Sequence, residues 1–149
     1  MPKYQSDVAT GKKAVPQPYD ASVLQVAVDL TLPTAALAAG DLLELLEIPP
    51  NVQIVGVDIV APQLDSNAAP VLAFSLGALN AGGTDLGAVY DTGLKPGAGA
   101  SGSAATANAA ALAFANREAS RKLALKVTTA AATSASAGKQ VLALVRMRY

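Results

Sequence analysis

Residues 31–66 read TLPTAALAAGDLLELLEIPPNVQIVGVDIVAPQLDS, and this stretch decides the fold. An apolar run at 42–48 is followed by Pro49-Pro50-Asn51 and then by a run rich in Val and Ile at 52–61. Proline at the junction excludes one continuous helix. The pattern predicts two β-strands joined by a tight corner. Within the second strand we expect Gln53, Val55, Val57 and Ile59 on one face, with Asp58 on the other.

The rest of the chain offers further strands that must pack on this pair to bury their apolar faces. Residues 22–32 alternate most clearly, and residues 71–79, 121–129 and 139–149 also have strand patterns. The last of these is apolar on both faces, so we expect it to be central or covered on both sides. Thr34 and Gly40 could cap a single helical turn.

The region 91–120 is rich in Gly, Ala and Ser, and we expect a long loop with one short helix or irregular strand near Leu112 and Phe114. Seven or eight strands without regular helices predict an all-β, jelly-roll-like two-sheet β-sandwich. It would span residues 21–149.

Residues 1–20 carry three prolines and little periodicity, which predicts an extended N-terminal arm. If ordered, the arm would lie on a partner or on its own domain, with Tyr4 and Tyr19 as anchors. The alternative is a terminus that frays.

The composition excludes several classes of site. The sequence has no Cys and no His, which excludes disulfides and thiolate zinc sites and removes the commonest general base. Glu44 and Glu47 are three residues apart and are expected on opposite faces of a strand, so they do not suggest an acid/base pair. We predict no catalytic residue, cofactor or metal ligand, and hence no enzyme.

Four oxygen-bearing side chains near turns could in principle bind calcium. Their spacing does not match a dedicated binding loop, which favours structural turns. They are Asp65, Asn67, Asp85 and Asp91.

The formal net charge is zero, so we expect no nucleic-acid partner. No run reaches the roughly 18 apolar residues of a membrane span, so we expect no membrane partner. The N-terminus lacks the apolar stretch of a signal peptide, which predicts a protein that stays in the cytoplasm where it is made. Acids dominate residues 14–94 and cations dominate residues 95–148. Either acidic and basic strands alternate and neutralise each other, or complementary patches register neighbouring subunits.

Four segments carry a family resemblance: LPTAALAAGDLLEL, IPPNVQIVGVDIVAPQLDS, LAFSLGALNAGGTDLGAVY and the ending KLALKVTTAAATSASAGKQVLALVRMRY. In these segments the chain resembles the small jelly-roll decoration, or cement, proteins of tailed bacteriophages. The resemblance covers residues 22–149.

The resemblance implies a non-enzymatic virion protein, made in the host cytoplasm, that binds the outer surface of a capsid. It would cement neighbouring major capsid protein subunits and associate with itself as a homodimer or homotrimer. The residues expected at capsid or subunit interfaces are Lys3, Tyr4, Lys12, Lys13, Tyr19, Lys95, Arg117, Arg146 and Arg148.

Two other functions remain open at this stage. A carbohydrate- or receptor-binding sandwich module of a phage tail or fibre usually exposes Trp and Tyr for stacking on sugars, but this chain has no Trp and four Tyr. A hydrolase or lyase on a β-sandwich would need clustered carboxylates in a deep pocket, because His is missing.

Overall fold

The computed structural model describes residues 2–14, 23–99, 102–108, 112 and 118–149. The described backbone forms nine β-strands. They are β1 (Lys3–Gln5), β2 (Leu24–Thr31), β3 (Leu42–Ile48), β4 (Gln53–Ala61), β5 (Ala73–Leu79), β6 (Leu86–Leu94), β7 (Ser103–Thr106), β8 (Arg121–Thr129) and β9 (Gln140–Arg148).

The strands form two sheets with the connectivity of a jelly roll. The five-stranded sheet has the order β1-β3-β8-β5-β6, and the four-stranded sheet has the order β2-β9-β4-β7. The corner after β3 carries the chain from one sheet to the other, and Asn51 takes the left-handed conformation there (φ 65°). The predicted all-β jelly-roll sandwich is confirmed.

The core lies between the sheets and is built mainly from Leu, Val and Ile. The even-numbered residues Val26, Val28 and Leu30 of β2 are buried, while their odd-numbered neighbours are exposed, as the alternation predicts. Strand β9 lies between β2 and β4. Its predicted central position is therefore confirmed.

The predicted faces of Gln53 and Val55 are wrong. Gln53 opposes the exposed Arg148 and lies on the outer face, one residue before the core-facing Ile54. The pairing of β4 with β9 shifts between Ile54 and Gly56, so one extra residue is inserted at Val55. Ile54 opposes Met147 and Val57 opposes Val145. Ile54 and Val57 therefore share the core face, because the bulge changes the period-two pattern.

Three strands escape the sequence pattern, namely β1 in the predicted arm, β6 and β7, and one predicted helical turn does not form. Strand β6 is mostly exposed with irregular pairing to β5, and β7 has only four residues of small side chains. Residues 33–41 contain bends and a turn but no helical residue. In the region predicted as a long loop, the buried Leu112 donates its N–H to the Asn108 carbonyl (3.3 Å), and Phe114 lies outside the described residues.

The β5–β6 hairpin folds over the outer face of the five-stranded sheet. At Gly77 a Cβ atom would lie 2.1 Å from the Ala88 carbonyl oxygen, so only glycine permits this approach. The turn brings the Asp85 carboxylate to 2.7 Å from Lys126 Nζ on β8. The hairpin thereby covers a sheet face that would otherwise be solvated.

We expect Gly77→Ala to lower the free energy of unfolding by about 2 kcal/mol or more, because strands β5 and β6 must separate to admit the methyl group. Gly82→Ala is the matched control, since the nearest atom to a Cβ there is 3.7 Å away. Denaturant unfolding measures both. Equal stability of the two variants would contradict the close approach.

Candidate interaction surfaces

Acidic and basic side chains on neighbouring strands of the same sheet form ion pairs. Lys122 Nζ on β8 lies 3.1 Å from Glu44 Oε1 on β3, and Arg146 Nη2 on β9 lies 3.1 Å from Asp58 Oδ2 on β4. The Lys126 to Asp85 pair repeats this pattern. These contacts favour internal neutralisation over complementary patches between subunits for the side chains involved.

Glu44 and Glu47 lie on the same outer face of the five-stranded sheet, so the expectation of opposite faces is wrong. The pairing of β3 with β8 shifts between Glu44 and Leu46. As a result Glu44 opposes Ala124 and Glu47 opposes Lys122, two positions that share a face. Glu44 is fully buried, whereas Glu47 is exposed.

The buried Glu44 carboxylate is held by the N-terminal segment, which we define as residues 2–14. Lys3 Nζ lies 2.6 Å from Glu44 Oε2, and Gln5 Nε2 donates to the same oxygen (3.0 Å). Burial works to raise the pKa of Glu44, but the ammonium groups of Lys3 and Lys122 and the Gln5 amide outweigh it and lower the pKa below its ordinary value. The carboxylate therefore remains ionised and pairs with cations from two strands.

The N-terminal segment lies on its own domain, one of the two positions expected for an ordered arm. Strand β1 pairs in parallel with β3, and the buried Ser6 donates its N–H to the Glu44 carbonyl (3.1 Å) and its hydroxyl to the Leu45 carbonyl. Val8 is buried in the core cluster, and Tyr4 packs against that cluster. The segment extends the sheet by one strand.

One end of the sandwich contains four loops, which are residues 32–41, residues 62–72, the described residues 95–99 and 102, and residues 130–139. We call this the loop end. The antiparallel ladders bring the C-terminal end of β2 to the start of β9, and the start of β3 to the end of β8. The chain therefore turns there after every second strand.

Asp65 joins two of these loops. Its Oδ1 accepts the N–H groups of Asn67 (3.2 Å) and Thr133 (3.0 Å). Its Oδ2 accepts those of Val71 (2.9 Å), Leu72 (3.3 Å) and Ala132 (3.0 Å). The fully buried carboxylate thus receives five backbone donors from two loops.

These donors determine the ionisation of Asp65. Burial works to raise its pKa, but the N–H groups of Thr133, Val71, Ala132 and Asn67 outweigh burial and hold the pKa well below its ordinary value of 3.8. Both carboxylate oxygens face hydrogen-bond donors. This supports the structural turn over the calcium interpretation at Asp65.

Asp85 and Asp91 likewise serve turns. Asp85 accepts the Leu86 N–H (2.7 Å) and pairs with Lys126, and these contacts lower its pKa. Asp91 accepts the N–H groups of Thr92 (2.8 Å) and Asn108 (2.7 Å). In the described part of the chain no group of three or more acidic residues is placed to hold a metal ion.

Further backbone hydrogen bonds connect the loops of the loop end. Leu64 N–H donates to the Gly97 carbonyl (3.1 Å), and the Leu64 carbonyl accepts the Ala135 N–H (2.9 Å). Gly138 N–H donates to the Pro33 carbonyl (3.2 Å). At Gly97 (φ 74°) a Cβ would lie 2.4 Å from the Pro62 carbonyl oxygen. All four loops therefore belong to one connected unit.

The cations predicted at interfaces fall into two groups. Lys3, Lys12 and Arg146 each have an acidic partner in the same chain, and the Lys12 pair with Asp7 (3.7 Å) is exposed on both sides. Lys13 and Lys95 are exposed.

The remaining predicted residues are scattered. Arg148 is exposed at the end of β9 and donates from Nε to Gln53 Oε1 (3.0 Å). Tyr4 is half-buried against the core. Tyr19 and Arg117 lie outside the described residues. Of the described members, Lys3, Tyr4, Lys12 and Lys13 belong to the N-terminal segment, Lys95 to the loop end, and Arg146 and Arg148 to β9.

Among the cavities on the described part of the surface, two have volumes of about 230 Å³ each. The first cavity is lined by Glu47, Leu79, Asn80, Ala81, Ser120, Arg121 and Lys122. The second is lined by Gln5, Ser6, Asp7, Lys13, Asp29, Thr31 and Gln140.

No helix in the described residues has the length and apolarity that a membrane crossing requires.

Comparison with solved structures finds relatives of the whole chain. A chain in the capsid of Ralstonia phage GP4 is similar with a TM-score of 0.79 and 28% identity, over 99% of this chain and 97% of that one. A chain in the capsid asymmetric unit of cyanophage Pam1 is similar with a TM-score of 0.67 and 21% identity, over 92% of each chain. The second likeness shows the fold alone.

No protein-family model matches the sequence, and no curated protein matches it. The likeness to the Ralstonia phage GP4 capsid chain supports a protein related to phage capsids with a structural role in the virion. To that extent it agrees with the resemblance found in the sequence.

We expect Glu44→Gln to lower the free energy of unfolding by about 1–3 kcal/mol, because a neutral amide loses the pairing with two lysines. Both lysines are partly exposed and therefore screened by solvent, so we expect a loss of stability toward the lower end of that range. Glu47→Gln is the matched control and should change stability by about 0.5 kcal/mol or less. Denaturant unfolding compares them, and equal losses would contradict the role of the buried carboxylate.

Asp65→Asn should lower Tm at about pH 7, because the amide nitrogen cannot accept from the surrounding N–H groups. A carboxyl whose pKa is lower in the folded than in the unfolded state stabilises the fold above its unfolded pKa, and this contribution disappears as pH falls toward the folded pKa. Wild type should therefore lose Tm more steeply than the variant below about pH 4.

The exposed Asp29→Asn is the control for this comparison and should follow the wild-type curve. Thermal unfolding over acidic and neutral pH measures all three proteins. Parallel curves for wild type and Asp65→Asn would contradict the hydrogen-bonded carboxylate.

Proposed function

We propose that this chain is a capsid decoration, or cement, protein. It binds the outer surface of an assembled phage capsid and holds neighbouring major capsid protein subunits together, without catalysis. The observation that carries the proposal is the likeness to a chain of the Ralstonia phage GP4 capsid, which extends over nearly the full length of both chains. The two chains are therefore of similar size and share a whole fold.

The architecture suits this role. The sandwich ties its N-terminal segment to β3 and its loops to one another, so it can act as a stiff body between neighbours. Many copies on one shell would hold it together even if each single contact is weak, because linked contacts raise the overall avidity. A clamp of this kind requires no titratable catalytic centre.

The partners we propose are the major capsid protein and a second or third copy of this chain. The protein would be made in the host cytoplasm and function on the outside of the virion. Of the cations predicted at interfaces, the exposed ones are the better candidates for contacts between copies of this chain, because they keep solvent-facing charge. They are Lys12, Lys13, Lys95 and Arg148.

Co-sedimentation of the purified protein with empty capsids of its phage tests the proposal, with stoichiometry read by mass. We expect saturable binding at a fixed ratio to capsid subunits and a higher temperature of shell disruption. Capsids of an unrelated phage serve as the control. A protein that stays in the supernatant as a soluble oligomer would contradict the proposal and direct the work to a glycan array.

A further inference from the structure

The loop end is a preorganised surface. Asp65 fixes the loops 62–72 and 130–139 through five N–H groups, and backbone hydrogen bonds connect them to the other two loops. Asn67 Nδ2 also donates to Thr133 Oγ1 (3.3 Å) between the two loop tips. Contacts made by such a surface lose little conformational entropy on binding.

The exposed part of the loop end is nearly free of charge. Residues 66–69 and 132–134 are exposed and consist of Ser, Asn, Ala and Thr, with Val71 beside them at 41% exposure. Asp41 and Asp65 are buried, and Lys139 Nζ donates to the Gln63 carbonyl. Among the described residues of the four loops, Lys95 is the only charged side chain that is exposed.

This distribution contrasts with the remainder of the surface. Lys12, Lys13, Asp29, Glu47 and Arg148 are all exposed outside the loop end. Charged residues are depleted from the centre of protein interfaces, because their desolvation is expensive. The loop end is therefore a part of this surface that a protein partner can cover at a low desolvation cost.

We infer that the loop end is the face that docks on the capsid, against an uncharged patch of the capsid subunit surface. The inference rests on the proposed function and adds the orientation of the protein on the shell. An uncharged partner is indicated because Lys95 alone offers an exposed charge here. The small side chains allow close approach of the two backbones, with Val71 as the apolar contact.

The opposite end of the sandwich is the competing contact surface. It exposes Tyr149 (62%) and Val23 (56%) near Arg148. Tyr and Arg are common at binding hot spots. The experiment therefore has to separate the two ends.

A matched pair of substitutions makes this separation. Ala68→Arg places a cation on an exposed tip of the loop end, and Ala81→Arg places the same cation on the exposed β5–β6 turn. We expect Ala68→Arg to weaken capsid co-sedimentation by about tenfold or more, and Ala81→Arg to leave it within about twofold. Tyr149→Ala should also bind like wild type.

Salt gives a second readout. Docking through an uncharged face should change little between about 0.1 M and about 0.5 M NaCl, whereas contacts between exposed charges would weaken. Circular dichroism confirms that each variant is folded before binding is measured.

The outcomes distinguish this inference from the proposed function. If wild type fails to bind capsids, the proposed function itself fails. If wild type binds and Ala68→Arg binds equally well, or if Tyr149→Ala is the variant that loses binding, the loop-end inference is overturned. A third result also overturns it. In that case light scattering shows that the Ala68→Arg variant no longer forms an oligomer with itself, and its folded monomers still bind shells.

Discussion

The hydrogen bonds of one buried carboxylate, that of Asp65, connect the loops at the loop end of this molecule. A jelly roll leaves four loops at each end, and loops of Ser, Ala and Asn have few apolar contacts to order them. Asp65 supplies acceptors for five N–H groups from two of those loops, so backbone donors that would otherwise be buried without partners are satisfied. The neutral surface above it depends on that arrangement.

Charge elsewhere is used mainly to join neighbouring strands. Glu44 connects the N-terminal segment with β3 and β8, Asp85 fixes the β5–β6 hairpin above β8, and Asp58 pairs with Arg146 across β4 and β9. A net charge of zero therefore reflects local pairing more than opposing patches. Such a body suits a structural role, which the likeness to a phage capsid chain supports independently.

The sequence predicts the sheet framework well because burial enforces the period of two in β2 and β9, and because proline marks the corner after β3. It fails at Val55 and at Glu44, where bulges shift side chains from one face to the other. It also misses β6, whose exposed edge carries no apolar alternation. The sequence did not predict the hydrogen bonds of Asp65, because its donors Ala132 and Thr133 are distant in the chain. Asp-Ser-Asn between prolines does indicate a turn at this position.

The most direct test is a cryo-electron microscopy reconstruction of empty capsids saturated with this protein. We expect ordered density for the sandwich on the outside of the shell, with the loops around Asp65 facing the capsid subunits and Tyr149 pointing away from them. Density in which the N-terminal segment or the end bearing Tyr149 faces the shell would contradict the proposed orientation. Shells without added density would contradict the decoration role itself.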